Sequence, residues 1–131
     1  MIIAYCDGAC SNNQVPELRQ AAAACIIVKD DQILTKRVEK LGNVTNQAAE
    51  LWSVKLALEA TSITGDLTII TDSQYAIGIF SQGWKPKANF HLIEEIKSMM
   101  NGRIITFRHV KGHNGEKFQE MTDALAVAAT R

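Results

Sequence analysis

The sequence predicts an α/β domain built on a five-stranded mixed sheet, strands one to three antiparallel, strands four and five parallel to the first, with helices on both faces. Three observations predict it. The N-terminal third holds three strand-like stretches joined by short non-helical segments, which suits antiparallel pairing. Beyond residue 46 helix-like and strand-like segments alternate, the pattern of parallel strands reached by helical crossovers. Between them, Leu67 to Asp72 is a β-branched run ending on a carboxylate and giving way at once to Ser73, a good helix N-cap. That is the sheet edge at which open α/β folds keep their chemistry.

The elements follow in order. Residues 1–7 alternate, with Ile3, Tyr5 and Asp7 on one face and Ile2, Ala4 and Cys6 on the other, and Asp7-Gly8 is expected to end the strand. Residues 11–20 are polar with a proline and read as a loop. Ala21 to Val28 is the second strand, against the helical propensity of four consecutive alanines. Ile33 to Leu41 is the third, and its charges at Lys36, Arg37, Glu39 and Lys40 mark a solvent-facing edge. Asn43 to Asn46 offers several N-caps for a central helix from Gln47 to about Thr61. That helix carries only Glu50, Lys55 and Glu59 as charges, so it should be covered on most sides, with Glu50 in its first turn.

After the Leu67 strand, a short helix runs from Ser73 to near Gly83. Asn89 is placed to cap an amphipathic helix whose Leu92, Ile93, Ile96, Met99 and Met100 share a face. Arg103 to Val110 is the fifth strand, followed by a glycine-bracketed loop around His113. The last helix, from about Glu116 to Thr130, is expected to bury Phe118, Met121, Leu125 and Ala128, with Asp123 at the border of that stripe. A parallel fourth strand puts its C-terminal end beside that of the first, so Asp7 and Asp72 should be neighbours.

Composition sets the bounds. A chain of 131 residues, 47 % apolar and 21 % charged, is one domain (1–131) with a single core, and no apolar run approaches the roughly 20 residues of a membrane span. Residues 1–6 read as strand rather than signal peptide. The three cysteines, Cys6, Cys10 and Cys25, cannot all pair and lie in or beside apolar strands, so a reducing, cytoplasmic setting is expected. Cys6 and Cys10 with His109 and His113 make only a weak zinc pattern. Formal charge is zero, which excludes a strongly basic nucleic-acid binder; were four acids committed to cations, 14 basic residues would face ten acids, a mildly basic shell.

Those four acids are Asp7, Glu50, Asp72 and Asp123. Converging carboxylates repel unless cations lie between them, and hard oxygen donors suit magnesium. Hydrolysis of a phosphodiester by two metals needs ions roughly 3.5–4 Å apart, which four acids from four elements can bridge and flank. A serine triad does not compete, because Ser73 has no glycine elbow.

The motifs resemble ribonuclease H of type 1, along the whole chain. Asp7-Gly8-Ala9 is similar to that family's first-strand motif, and Thr45-Asn46 followed by Glu50 to the opening of its central helix. Thr71-Asp72-Ser73-Gln74 is similar to its Thr-Asp-Ser motif, and Val110-Lys111-Gly112-His113, with Asp123 ten residues after the histidine, to its C-terminal signature. The resemblance implies a ribonuclease H-like fold and an endoribonuclease that cuts the RNA strand of RNA–DNA hybrids, leaving 5′-phosphate and 3′-hydroxyl ends. It implies two Mg2+ ions, replaceable by Mn2+, held by Asp7, Glu50, Asp72 and Asp123, with His113 assisting proton transfer or product departure. It implies substrate contacts from Asn13, Asn46 and Gln74, reading the sugars and the wide minor groove of an A-like duplex. His91 and His109 are expected to be structural or solvated.

The chain departs from the family pattern in three places. Only Trp84-Lys85-Pro86-Lys87 stands where many members carry a long basic insertion, which should weaken hybrid affinity. Val15 to Arg19 replaces a glycine-rich stretch. Gln119 stands where an asparagine is common, so support of Asp123 could differ. The alternatives are a non-catalytic hybrid-binding module, which should lack one of the acids, and a DNA-directed nuclease of the same architecture. A reverse-transcriptase domain would share the chemistry, though the initiating Met and compact ending speak against it. A monomer without obligate protein partner is expected.

Overall fold

The structure, a computed structural model, describes residues 1–62, 65–111 and 116–131. Its elements are β1 (Ile2–Ser11), a 3-10 turn (Pro16–Leu18), β2 (Gln20–Lys29), β3 (Gln32–Gly42), α1 (Asn46–Glu59), β4 (Leu67–Thr71), α2 (Gln74–Ser81), α3 (Phe90–Met100), β5 (Ile105–His109) and α4 (Lys117–Ala129). The sheet order is β3-β2-β1-β4-β5. β1 pairs antiparallel with β2 and β2 with β3, whereas β4 is parallel to β1 and β5 to β4, the mixed topology expected from the connections.

Alternation along β1 divides the interior. Ala4 and Cys6 join Ala23, Cys25, Leu51, Val54, Ile69 and Ile93 on the α1 and α3 side. Tyr5 joins Ile26, Val28, Ile70 and Phe118 beneath α4, with Tyr5 and Phe118 rings 5.4 Å apart. The alanine run is strand despite its helical propensity. Ala21 to Ala24 are buried in the first half of β2, which is covered by α1 on one face and α4 on the other. Small side chains there let both helices approach the sheet, and tertiary packing overrides local preference.

Five local expectations are corrected. β1 does not end at Asp7-Gly8 but stays paired with β2 to Ser11↔Gln20, because its partner strand continues. Gly8 lies inside the strand for another reason: a Cβ there would stand 2.4 Å from the carbonyl carbon of Ala49, so the residue admits the α1 backbone. Glu50 lies a turn inside α1 rather than in its first turn, because Thr45 is the cap, its hydroxyl accepting from Ala48 N at 3.1 Å. Asn89 holds the position before α3 in a left-handed conformation, but its side chain does not cap the helix; Nδ2 donates to the Tyr75 hydroxyl at 3.4 Å.

The fourth correction concerns α4. Its buried face is Phe118, Gln119, Thr122 and Ala126, while Met121 and Leu125 are half-buried beside the Tyr5 cluster and Ala128 is exposed. The helix turns Thr122 and Ala126 to the alanine-rich sheet, since small side chains allow close approach, and Asp123 is half-buried at the border of the buried face, as expected. β5 is also shorter than expected, spanning only Ile105–His109.

Candidate active site

Strand register brings the first two acids together. The parallel pairing of β1 with β4 ends at Cys6↔Thr71, so Asp7 and Asp72 are the next residues on adjacent strands pointing the same way. Around Asp72 the backbone is pinned: Thr71 Oγ1 accepts from Ser73 N at 3.1 Å, and Thr71 O accepts from Val110 N at 3.0 Å. The Ser73 hydroxyl caps α2 by accepting from Ala76 N at 3.0 Å.

α1 supplies the third acid. Its backbone lies against Gly8, which places Glu50 beside the strand that carries Asp7. Glu50 Oε1 accepts from Asn46 Nδ2 at 3.1 Å, and Oε2 accepts a short bond from the Ser73 hydroxyl. Ser73 therefore ends one element and orients the acid of another. The sequence singled it out only as a cap; the missed signal was its place one residue after Asp72, with a hydroxyl that both accepts and donates.

α4 supplies the fourth. Asp123 stands within hydrogen-bonding reach of Asp7. One turn earlier, Gln119 is buried and its Nε2 donates to the Cys6 carbonyl at 3.2 Å.

Asp7 is the centre of this cluster. Burial first, then the charge of Asp72, then contact with Asp123 and the charge of Glu50, push its carboxyl up to about 9. Glu50 is also raised, by burial first, with the bond from Ser73 pulling the other way. Asp7 Oδ2 is buried with no hydrogen-bond partner among the described residues, which is costly for an acceptor unless a further group satisfies it.

That orphan oxygen is the test of whether the residues fit a divalent cation. An all-carboxylate donor set, a buried acceptor awaiting a partner, and mutual repulsion that a cation would relieve suit a hard ion such as Mg2+ or Mn2+. Among the described residues no group of three or more His, Cys, Asp or Glu side chains is placed as a ready-made metal site, but the charges of Asp72, Asp123 and Glu50 all act on Asp7.

The remaining sequence candidates are placed as follows. Asn13 is an internal clip, its Oδ1 accepting from Asn46 N at 3.0 Å while Arg19 Nε donates to its carbonyl at 2.9 Å. Asn46 is half-buried between Asn13 and Glu50. Gln74 is exposed at the start of α2 and lines a cleft of about 370 Å³ with Ile77, Gln82, Trp84 and His109. His109 is exposed at the end of β5 and His91 is exposed on α3. His113 lies outside the described residues. The thiols of Cys6, Cys10 and Cys25 are free.

Comparison with known proteins gives the chain its relatives. The family model described as RNase H matches residues 1–131. A ribonuclease H of Jannaschia is 36 % identical, the match covering 97 % of this chain and 89 % of that one. A ribonuclease H of Rhodopirellula baltica is 32 % identical, covering 95 % and 87 %. Among solved structures, ribonuclease H1 of the halophilic archaeon Halobacterium salinarum superposes with a TM-score of 0.82 at 26 % identity, covering 98 % of this chain and 96 % of that one.

Proposed function

Because the chain belongs to the ribonuclease H family, we propose that it cleaves the RNA strand of RNA–DNA hybrids by two-metal-ion hydrolysis, leaving 5′-phosphate and 3′-hydroxyl ends. The observation that carries this reading is Asp7 itself, a buried carboxyl on which Asp72, Asp123 and Glu50 all act and whose Oδ2 has no hydrogen-bond partner among the described residues.

In this reading Asp7, Glu50, Asp72 and Asp123 hold two Mg2+ ions, with Mn2+ able to replace them. Ions so bound would supply an activated water and a Lewis acid for the departing oxygen. The protein's own part is alignment. β1 and β4 hold Asp7 and Asp72 on neighbouring strands, Ser73 and Asn46 fix both oxygens of Glu50, and α4 brings Asp123 against Asp7. Fixed donors that need no rearrangement at the moment of reaction are the largest lever an active site has.

Asn13, Asn46 and Gln74 are assigned to the hybrid's sugars and base edges, and His113 to proton transfer or product release. An ordinary imidazole changes protonation near neutrality, which suits that task. Gln74 is open to solvent, whereas Asn13 and Asn46 already bond to each other, so contact with a hybrid would compete with that bond. Three free thiols support a reducing compartment, the cytoplasm. Among the described residues no helix is long and apolar enough to cross a membrane.

The deciding experiment offers labelled RNA–DNA, RNA–RNA and DNA–DNA duplexes with Mg2+ or Mn2+. Cutting of the RNA strand in the hybrid alone, with 5′-phosphate ends, is expected. Binding without cutting would favour a hybrid-binding module, and cutting of duplex DNA a DNA-directed nuclease; either outcome would refute the proposal.

A further inference from the structure

Gln119 is 4 % exposed and spends its amide in an unequal way. Nε2 donates to the carbonyl of Cys6, 113 positions away in sequence, while Oε1 is buried and has no hydrogen-bond partner among the described residues. Such a group is a poor stabiliser: an apolar side chain of similar length would remove the unsatisfied Oε1, and the loss of the bond to the Cys6 carbonyl would be set against that gain. The bond it does make, however, joins the two segments that carry Asp7 and Asp123. Cys6 immediately precedes Asp7 and is the last residue of β1 paired with β4. Asp123 follows Gln119 by four positions, so the two lie on the same side of α4 one turn apart.

We propose that Gln119 is a positioning residue: by tying α4 to β1 at Cys6 it sets the spacing of Asp7 and Asp123, and so the strength with which the four acids hold a divalent cation. The inference rests on the ribonuclease reading and extends it to a residue that touches neither substrate nor the reacting atoms. Partners of this kind hold metal-binding side chains in orientation, and their loss weakens metal affinity. An unsatisfied acceptor is tolerable where the bond on the other end of the same amide serves the site rather than the core.

The test is Gln119→Met in the full chain, which keeps length and bulk and removes the amide. Removal of the orphan Oε1 offsets loss of the donor to the Cys6 carbonyl, so the ion-free protein is expected to melt close to the temperature of the unaltered one. The Mg2+ concentration giving half of the ion-induced stabilisation, checked by calorimetric titration, is expected to rise about tenfold. Cleavage of a hybrid is expected to recover towards that of the unaltered protein as Mg2+ is raised. An unchanged Mg2+ midpoint overturns the proposal, whether or not the melting temperature falls, since a packing role alone moves only the latter.

Should the variant not fold, nuclear magnetic resonance of the unaltered protein decides. The Gln119 side-chain amide protons are expected to exchange slowly, unlike those of the exposed Gln14 and Gln82, and to shift as Mg2+ binds. Resonances indifferent to Mg2+ overturn the proposal. If the unaltered protein neither binds Mg2+ nor cuts a hybrid, the functional reading fails with it. If it does both and Gln119→Met matches it, only the role of Gln119 is refuted.

Discussion

Gly8 of β1 and Ala49 of α1 meet backbone to backbone, so closely that a Cβ on Gly8 would lie 2.4 Å from the Ala49 carbonyl carbon and 2.5 Å from Glu50 N. The residues flanking this contact are Asp7 and Glu50. The missing side chain thus fixes how near a strand-borne acid and a helix-borne acid can stand.

Gly8→Ala should therefore act on both stability and chemistry. The obstructing atoms are backbone and cannot swing aside, so α1 must shift, at a cost near the upper end of overpacking penalties, about 3 kcal/mol. Thermal unfolding together with hybrid cleavage measures it. A variant that melts like the unaltered protein would show that the helix has room to spare.

Ser73→Ala removes two bonds at once. Loss of the cap on Ala76 N should cost about 1 kcal/mol, typical of N-cap truncation. Loss of the bond to Glu50 removes an influence that holds that carboxyl down, so its proton affinity rises further. The acid limb of the pH–rate profile should then move to higher pH. A stability loss with an unmoved limb would confine Ser73 to capping.

Asp7 makes ion-free stability depend on pH with a definite sign. Its folded value, about 9, lies above the ordinary carboxyl value of about 3.9, so the folded chain keeps a proton that the unfolded chain releases. That contribution is complete below about pH 4 and is lost as pH rises towards 9, at up to about 1.4 kcal/mol per pH unit for one proton. Chemical denaturation in chelator from pH 5 to 9 should show the decline, and Asp7→Asn should flatten it. A profile that rises with pH, or an Asp7→Asn profile with the same slope, would contradict the assignment.

Asp72→Asn keeps size and shape while removing a charge, so the fold should survive. Hybrid cleavage should fall by about 10³-fold or more if the carboxylate holds an ion that stabilises the transition state. Circular dichroism and single-turnover cleavage separate the two. His113→Ala should slow turnover less than this if, as proposed, His113 assists proton transfer while the four acids hold the ions.

Sequence by itself determined much of this protein. The period-two pattern of residues 1–7 assigned Tyr5 and Cys6 to opposite faces, the β-branched run before Asp72 marked the end of a strand, and the helical crossover placed that end beside Asp7. Each is a local signal, written by side-chain period or by the chirality of one connection. Only the tertiary structure decided that Gly8 admits a helix rather than ending a strand, that Ser73 and Asn46 divide the oxygens of Glu50, and that α4 turns Thr122 and Ala126 to the sheet. The bond from Gln119 to Cys6 joins positions 113 residues apart. No spacing along the chain records such a contact, because it is fixed by how closely small residues let separate elements approach, a property of the packed whole.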